Sequence, residues 1–143
     1  MSSTSGRVFL DTNVLVYLFD RGAPAKQARA QKLIDELGSS SLAVVSTQVL
    51  QEFYVSVTRK LASPLPEEAA EAAVRALATL HVVVVDPPLV LQGITVSRRH
   101  RISFWDGLVV AAASVAGCGT LLSEDLAHGS ALSGVSVKNP FGG

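Results

Sequence analysis

Four short runs of aliphatic and β-branched residues, apolar on both faces, recur between segments with helical periodicity. They are Val8-Phe9-Leu10, Leu42-Ala43-Val44-Val45, His81 to Val85, and Thr120 to Leu122. A strand apolar on one face only suits an antiparallel sheet with a wet side, whereas a strand apolar on both faces must be covered on both. Strands of the second kind, alternating with helices, specify an α/β fold with a central parallel sheet and helices on each face. Val135-Ser136-Val137-Lys138 is expected to add a strand at an edge.

The intervening segments read as helices. Val14, Leu15, Leu18 and Phe19 recur at helical spacing within 13–20, and Pro24 suits the first turn of a helix over 26–37 that Gly38 ends. Ser46 or Thr47 caps a helix to about Leu61. Further helices are expected over 67–80, 89–100 and 103–117. At 143 residues, with 48% apolar and 17% charged side chains, the chain fits one folded domain, placed over 7–141, with 1–6 as a disordered N-terminal segment.

The apolar fraction raises the question of a membrane span. The longest uncharged apolar stretch, Leu108 to Leu122, is interrupted by Ser114, Gly117 and Gly119 and is shorter than the roughly 18–20 residues that cross a bilayer. It reads as a buried helix followed by a buried strand. The N-terminus has neither a basic segment nor an apolar one of the kind that directs export, so a cytoplasmic location with no membrane partner is expected. Cys118, the single cysteine, has apolar neighbours and reads as a small core residue. Twelve basic and twelve acidic side chains cancel, so a polyanion would have to be held by local charges.

In parallel sheets ligands gather at the carboxyl ends of the strands, and acids stand there. Asp11 follows the first strand directly, either as a helix N-cap or as a site carboxylate. Glu52 lies in the helix after the second strand among Val49, Phe53 and Val55, where the alternative is a solvated surface residue. Asp106 is the only charge on the apolar segment Phe104 to Ala116. It stands three residues after Ser103, so it is either half of a capping box, a site acid, or both. Asp125 follows Leu121-Leu122, and its alternative is an Asx turn before Gly129. Two carboxylates about 5 Å apart repel by roughly 3 kcal/mol at an effective dielectric near 20. A fold that gathers several therefore calls for a cation, and all-oxygen ligands favour Mg²⁺ or Mn²⁺.

Taken in order, Val8 to Leu15, Glu52, Ser103-Phe104-Trp105-Asp106-Gly107 to Ala113, Leu121 to Gly129, and Asn139-Pro140-Phe141 resemble the successive motifs of the PIN domain, closest to VapC-type toxins. Gly107 departs from the alanine more usual there, and a looser helix start is expected from it. The resemblance implies a metal-dependent endoribonuclease, the toxin of a VapBC-type pair. Asp11, Glu52, Asp106 and Asp125 would form the acidic pocket, with Asp11 and Asp106 as direct ligands of Mg²⁺ or Mn²⁺. Ser123 would position metal or water, while Thr12 and Asn13 would brace the pocket or simply start the helix.

The implied partners are an RNA substrate and a VapB-like antitoxin. A homodimer is expected, since apolar helical surface and zero net charge also favour association. Arg98-Arg99-His100-Arg101, Arg21, Lys26, Arg59 and Lys60 are candidates for RNA phosphates, or are solvated helix-end cations. Trp105 either stacks on a base or packs in a core or dimer interface. The other readings are a nuclease of the same fold acting in RNA processing or on DNA, and a non-catalytic metal-binding module. A receiver domain would show paired aspartates near the first strand and a late lysine. His81, His100 and His128 lack a nucleophile partner, and there is no P-loop or G-x-G-x-x-G.

Overall fold

The computed structural model describes residues 6–38 and 40–142. Of the segment 1–6 expected to be disordered, only Gly6 lies within the described residues. The elements run β1 (Val8–Leu10), α1 (Thr12–Val16), α2 (Pro24–Gly38), β2 (Ala43–Ser46), α3 (Thr47–Arg59), α4 (Glu67–Leu77), β3 (His81–Val83), α5 (Pro87–His100), α6 (Phe104–Val115), β4 (Thr120–Leu122), β5 (Ala131–Leu132) and β6 (Val135–Lys138). The sheet order is β3-β2-β1-β4-β6-β5. Every pairing is parallel except that of β5 with β6, so the fold is the expected α/β layer structure with six helices around a mostly parallel sheet.

The order has a direct consequence for function. From β1 the chain steps outward through β2 to β3, then crosses back by α5 and α6 to lay β4 on the other side of β1. The direction of winding therefore reverses between β1 and β4, and the carboxyl ends of those strands open a crevice. Asp11 and Ser123 are the residues that leave β1 and β4. Their backbones continue the ladder, Asp11 N donating to Leu122 O at 3.0 Å and Ser123 N to Lys138 O at 3.0 Å.

The core explains the rigidity of that crevice. Phe9, Leu10, Val44, Val45, Leu121 and Val137 are buried in the sheet, while Val14, Leu15, Val49, Phe53 and Val57 pack against them from α1 and α3. Residues 107–113 of α6 are buried without interruption. Each such aliphatic or aromatic side chain contributes about 1.5–3 kcal/mol on burial. Cys118 is buried in this core, and loss of hydration pushes its thiol up to about 11, which suits a core residue and not a nucleophile. The stretch Leu108 to Leu122 divides into α6 and β4, and among the described residues no helix is long and apolar enough to cross a membrane.

Several expectations are corrected. Val135–Lys138 is not the edge strand, because Ala131–Leu132 pairs antiparallel outside it through a turn at Ser133 (φ 50°) and Gly134 (φ 82°). The third strand ends at Val83, and Val84 is exposed. The helix expected over 13–20 is a five-residue α1 followed by a 3₁₀ turn at Tyr17–Phe19. The helix expected over 67–80 ends at Leu77, and that expected from 89 begins at Pro87 behind an Asp86 N-cap. Gly107 does not loosen α6. A Cβ there would lie 2.7 Å from Gly93 O and 2.8 Å from Ser97 Cβ, so the glycine permits close approach of α5 and α6.

Candidate functional site

Asp11 is the N-cap of α1, and its carboxylate is held at both oxygens. Its Oδ1 accepts from Thr12 N at 2.8 Å, and its Oδ2 accepts from Ser123 Oγ at 2.8 Å. It is only 5% exposed. Burial is the main cause that raises its pKa from 3.8 to about 6; the bonds from Ser123 and Thr12 oppose this, and the charges of Asp125 and Glu52 add to it. Ser123, fully buried, also accepts from Asp125 N at 3.1 Å, so one hydroxyl joins the ends of β1 and β4.

Glu52 projects from the second turn of α3, half-buried rather than solvated. Thr12 Oγ1 donates to its Oε1 at 2.9 Å and Gln48 Nε2 to its Oε2 at 3.3 Å. The same Gln48 nitrogen donates to Trp105 O at 3.2 Å. Because both Nε2 bonds run to acceptors, the amide cannot be turned over, and among the described residues buried Gln48 Oε1 has no hydrogen-bond partner. Asn13 Oδ1 accepts from Glu124 N at 3.2 Å, which fixes the loop before Asp125. Thr12 and Asn13 thus each tie α1 to a distant segment, α3 and the loop after β4 respectively.

Thr12, Asn13, Gln48, Glu52, Trp105 and Asp125 line one cleft of about 760 Å³, with Val16, Tyr17, Val55, Lys60 and Leu61 also in its wall. Asp125 is exposed there. Asp106 stands apart from this bonding network. Its backbone N–H is capped by Ser103 Oγ at 3.1 Å and the residue is half-buried at the start of α6, one position beyond the Trp105 carbonyl that Gln48 holds. The structure therefore links Asp11, Ser123, Thr12, Glu52 and Asp125 directly, and reaches Asp106 only through its neighbour.

The donor chemistry fits a hard cation. Among the described residues no basic side chain pairs with Asp11, Glu52, Asp106 or Asp125; the ion pairs are Lys26 with Glu124 and Arg75 with Glu71. The buried Gln48 oxygen is a further unsatisfied acceptor beside Glu52. Among the described residues no group of three or more His, Cys, Asp or Glu is arranged to enclose an ion. That is compatible with Mg²⁺, which keeps several waters and is commonly held by one or two carboxylates.

Sequence reasoning missed two features. Gln48 stands one helical turn before Glu52, a spacing that could have pointed to it. The tie of Tyr17 Oη to Glu124 Oε1 at 2.6 Å, completed by Lys26 on the same carboxylate, joins segments too distant in sequence to be paired by inspection. The basic run is less informative: Arg98, Arg99 and His100 end α5, Arg101 is its left-handed C-cap, and none lines the cleft. His128 Nδ1 accepts from Asn139 N at 2.9 Å, also away from the cleft lining.

The PIN domain family model matches residues 8–129, and the chain belongs to that family. No match is found among curated proteins. Among solved structures the chain is similar to the Mycobacterium tuberculosis toxin VapC20, described as cleaving the sarcin-ricin loop, at 24% identity and a TM-score of 0.62 over 80% of this chain and 86% of that one. It is similar to VapBC2 from Rickettsia felis bound to a promoter DNA fragment, at 14% identity and a TM-score of 0.67 over 92% and 97%. It also resembles DNA-bound VapBC from Salmonella typhimurium, at 16% identity and a TM-score of 0.66 over 94% and 98%. At these identities the likeness is one of fold.

Proposed function

We propose that this chain is a Mg²⁺- or Mn²⁺-dependent endoribonuclease and the toxin of a VapBC-type toxin–antitoxin module, acting in the cytoplasm. The observation that carries the reading is Asp11: a buried carboxylate at the switch point of a parallel sheet, close enough to Glu52 and Asp125 to feel their charge, with no basic partner among the described residues. Such an arrangement is unfavourable in the empty protein and favourable around a cation. Asp11 and Asp106 are assigned as direct ligands, with Glu52 and Asp125 completing the acidic pocket. A divalent ion held by these carboxylates would supply polarisation of a phosphodiester oxygen and a more acidic water.

The chain's own residues do the positioning. Ser123 holds Asp11 Oδ2 while Thr12 N holds Oδ1, so the carboxylate cannot rotate. Thr12 Oγ1 and Gln48 restrain Glu52, and Asn13 fixes the approach to Asp125. The apolar wall of the same cleft, Val16, Tyr17, Val55 and Leu61, suits an apolar antitoxin segment laid along α1 and α3 on each subunit of a homodimer. A basic residue from that segment would meet the carboxylates and compete with metal and RNA.

Co-expression with the product of the neighbouring upstream gene, followed by size-exclusion chromatography and RNA cleavage, tests this. The expected result is a stable complex, cleavage by the free protein that EDTA abolishes and Mn²⁺ restores, and inhibition in the complex. Asp11→Asn and Asp106→Asn should each remove cleavage while retaining the fold. Near wild-type cleavage by either variant refutes the catalytic assignment, and a protein indifferent to its neighbour refutes the toxin assignment.

A further inference from the structure

Trp105 is the sole tryptophan of the chain and is 61% exposed, which excludes a place in the core of this chain. Gly107 to Ala113, further along the same helix, are all buried, so at the start of α6 it is the ring of Trp105 that turns outward. It does so in the wall of the cleft that also contains Glu52 and Asp125. Its mount is rigid. Gln48 Nε2 holds the Trp105 carbonyl and the Glu52 carboxylate with one nitrogen, and Phe104 braces the indole edge-on, with ring centroids 5.0 Å apart at 70°. Among the described residues the indole N–H has no acceptor, and Lys60, in the same cleft, has no ion-pair partner.

A large ring left in water on a braced mount, beside a carboxylate site and a free cation, matches one kind of group on a nucleic acid. A phosphodiester always has a nucleobase on either side, and an unpaired base offers a flat π-face to an aromatic platform, while bases in a duplex are already stacked. We propose that Trp105 is the stacking platform for an unpaired nucleobase flanking the phosphodiester at the carboxylates, with Lys60 available to an adjacent phosphate. This rests on the nuclease reading above and adds to it a residue that positions the base beside the cleaved bond.

Because the chain has one tryptophan, its emission reports this ring alone. The non-cleaving Asp11→Asn protein is titrated with a short fluorescein-labelled single-stranded RNA, with the same sequence as a blunt duplex, and with the single strand carrying one abasic position. Anisotropy of the label reads binding, and tryptophan emission reads stacking. Saturable quenching by the single strand, much weaker quenching by the duplex, and partial loss with an abasic position are expected. In the otherwise wild-type enzyme, Trp105→Ala should lower kcat/KM on single-stranded RNA by roughly 5- to 150-fold, the range that one base–aromatic stack supplies, chiefly through KM. Trp105→Tyr should restore most of it, and the melting temperature of both variants should stay near wild type.

Binding by anisotropy with unchanged emission overturns the proposal, as does a Trp105→Ala enzyme that cleaves normally. Emission that follows protein concentration instead of RNA also overturns it and assigns the ring to a contact between copies. In all three cases RNA cleavage by the wild type leaves the nuclease reading standing. Absence of cleavage by the wild type with Mg²⁺ or Mn²⁺ removes that reading, and this proposal with it.

Discussion

Replacing Asp11 by asparagine should make the metal-free protein more stable while destroying its activity, and the size of the gain follows from the site. The Asp11 pKa stands near 6 in the fold against 3.8 for the free side chain. A difference of about 2 units corresponds to about 3 kcal/mol. The folded state holds a proton that the unfolded chain releases between about pH 4 and pH 6, so stability falls as pH rises through that window and the deficit is complete above it. The substituted amide would carry no charge and so no such deficit. It would keep the bond from Thr12 N, but its NH₂ group would face Ser123 Oγ, which already accepts from Asp125 N. Impaired hydrogen bonding there returns about 1 kcal/mol.

The net expectation is a gain of about 2 kcal/mol at pH 7.5 in EDTA, or roughly 4–8 °C in melting temperature for a domain of this size, shrinking to nothing or reversing near pH 4. Urea denaturation of both proteins in chelator at the two pH values measures it. Addition of Mn²⁺ should then narrow the gap by stabilising the wild type more than the variant, which lacks one of the carboxylates. A variant less stable than wild type at pH 7.5, or a difference that does not change with pH, would refute the assignment of Asp11 as an uncompensated buried charge.

Two further substitutions probe the supports of the site. Ser123→Ala removes the donor to Asp11 and the acceptor of Asp125 N from a fully buried position, so a loss of about 1–2 kcal/mol in thermal unfolding and weaker Mn²⁺ binding by calorimetry are expected; an unchanged Mn²⁺ affinity would show that the hydroxyl does not position Asp11. Gly107→Ala introduces the residue more usual in the family, yet its methyl group would meet Gly93 O and Ser97 backbone and side chain at under 3 Å, for a cost of about 1–3 kcal/mol. A melting temperature equal to wild type would mean that α5 and α6 can separate without loss.

What is legible in the sequence is what a strand's local chemistry dictates. Val8-Phe9-Leu10 and Thr120 to Leu122 read as covered strands, and the residues after them emerge at a sheet end, which is why Asp11 and Asp125 stand out without knowledge of their contacts, whereas Ser123 is implied only by the family resemblance. The helix caps at Ser46 and Ser103 are legible for the same reason, since a single side chain satisfies them. Position in the sheet is not. Two residues, Ala131–Leu132, have too little pattern to announce a strand, yet they take the edge from Val135–Lys138. Val84 and Val85 look like strand by composition, but pairing with β2 stops at Ser46, where α3 begins, and Val85 N donates instead to Thr47 Oγ1 at 3.1 Å. Gln48 bridges Glu52 and Trp105 across 57 residues, and only the placement of α6 against the start of α3 makes that contact possible.

The charge distribution joins these observations into one mechanism of control. A chain of zero net charge exerts no long-range pull on RNA, and Glu52 and Asp125 in the cleft wall, with Asp11 buried close enough to feel both, would drive a phosphate away. On the proposed reading the ion therefore does more than chemistry: it reverses the local sign, so RNA affinity should itself depend on the divalent cation. The antitoxin's basic side chain would reverse the same sign without supplying an open coordination position or a bound water. On that reading both ligands would neutralise the site but only one would leave it able to react, and the apolar wall formed by Val16, Tyr17, Val55 and Leu61 would favour the one that also buries aliphatic surface. Inhibition would then be competition at the carboxylates, held in place by packing along α1 and α3 instead of by charge alone.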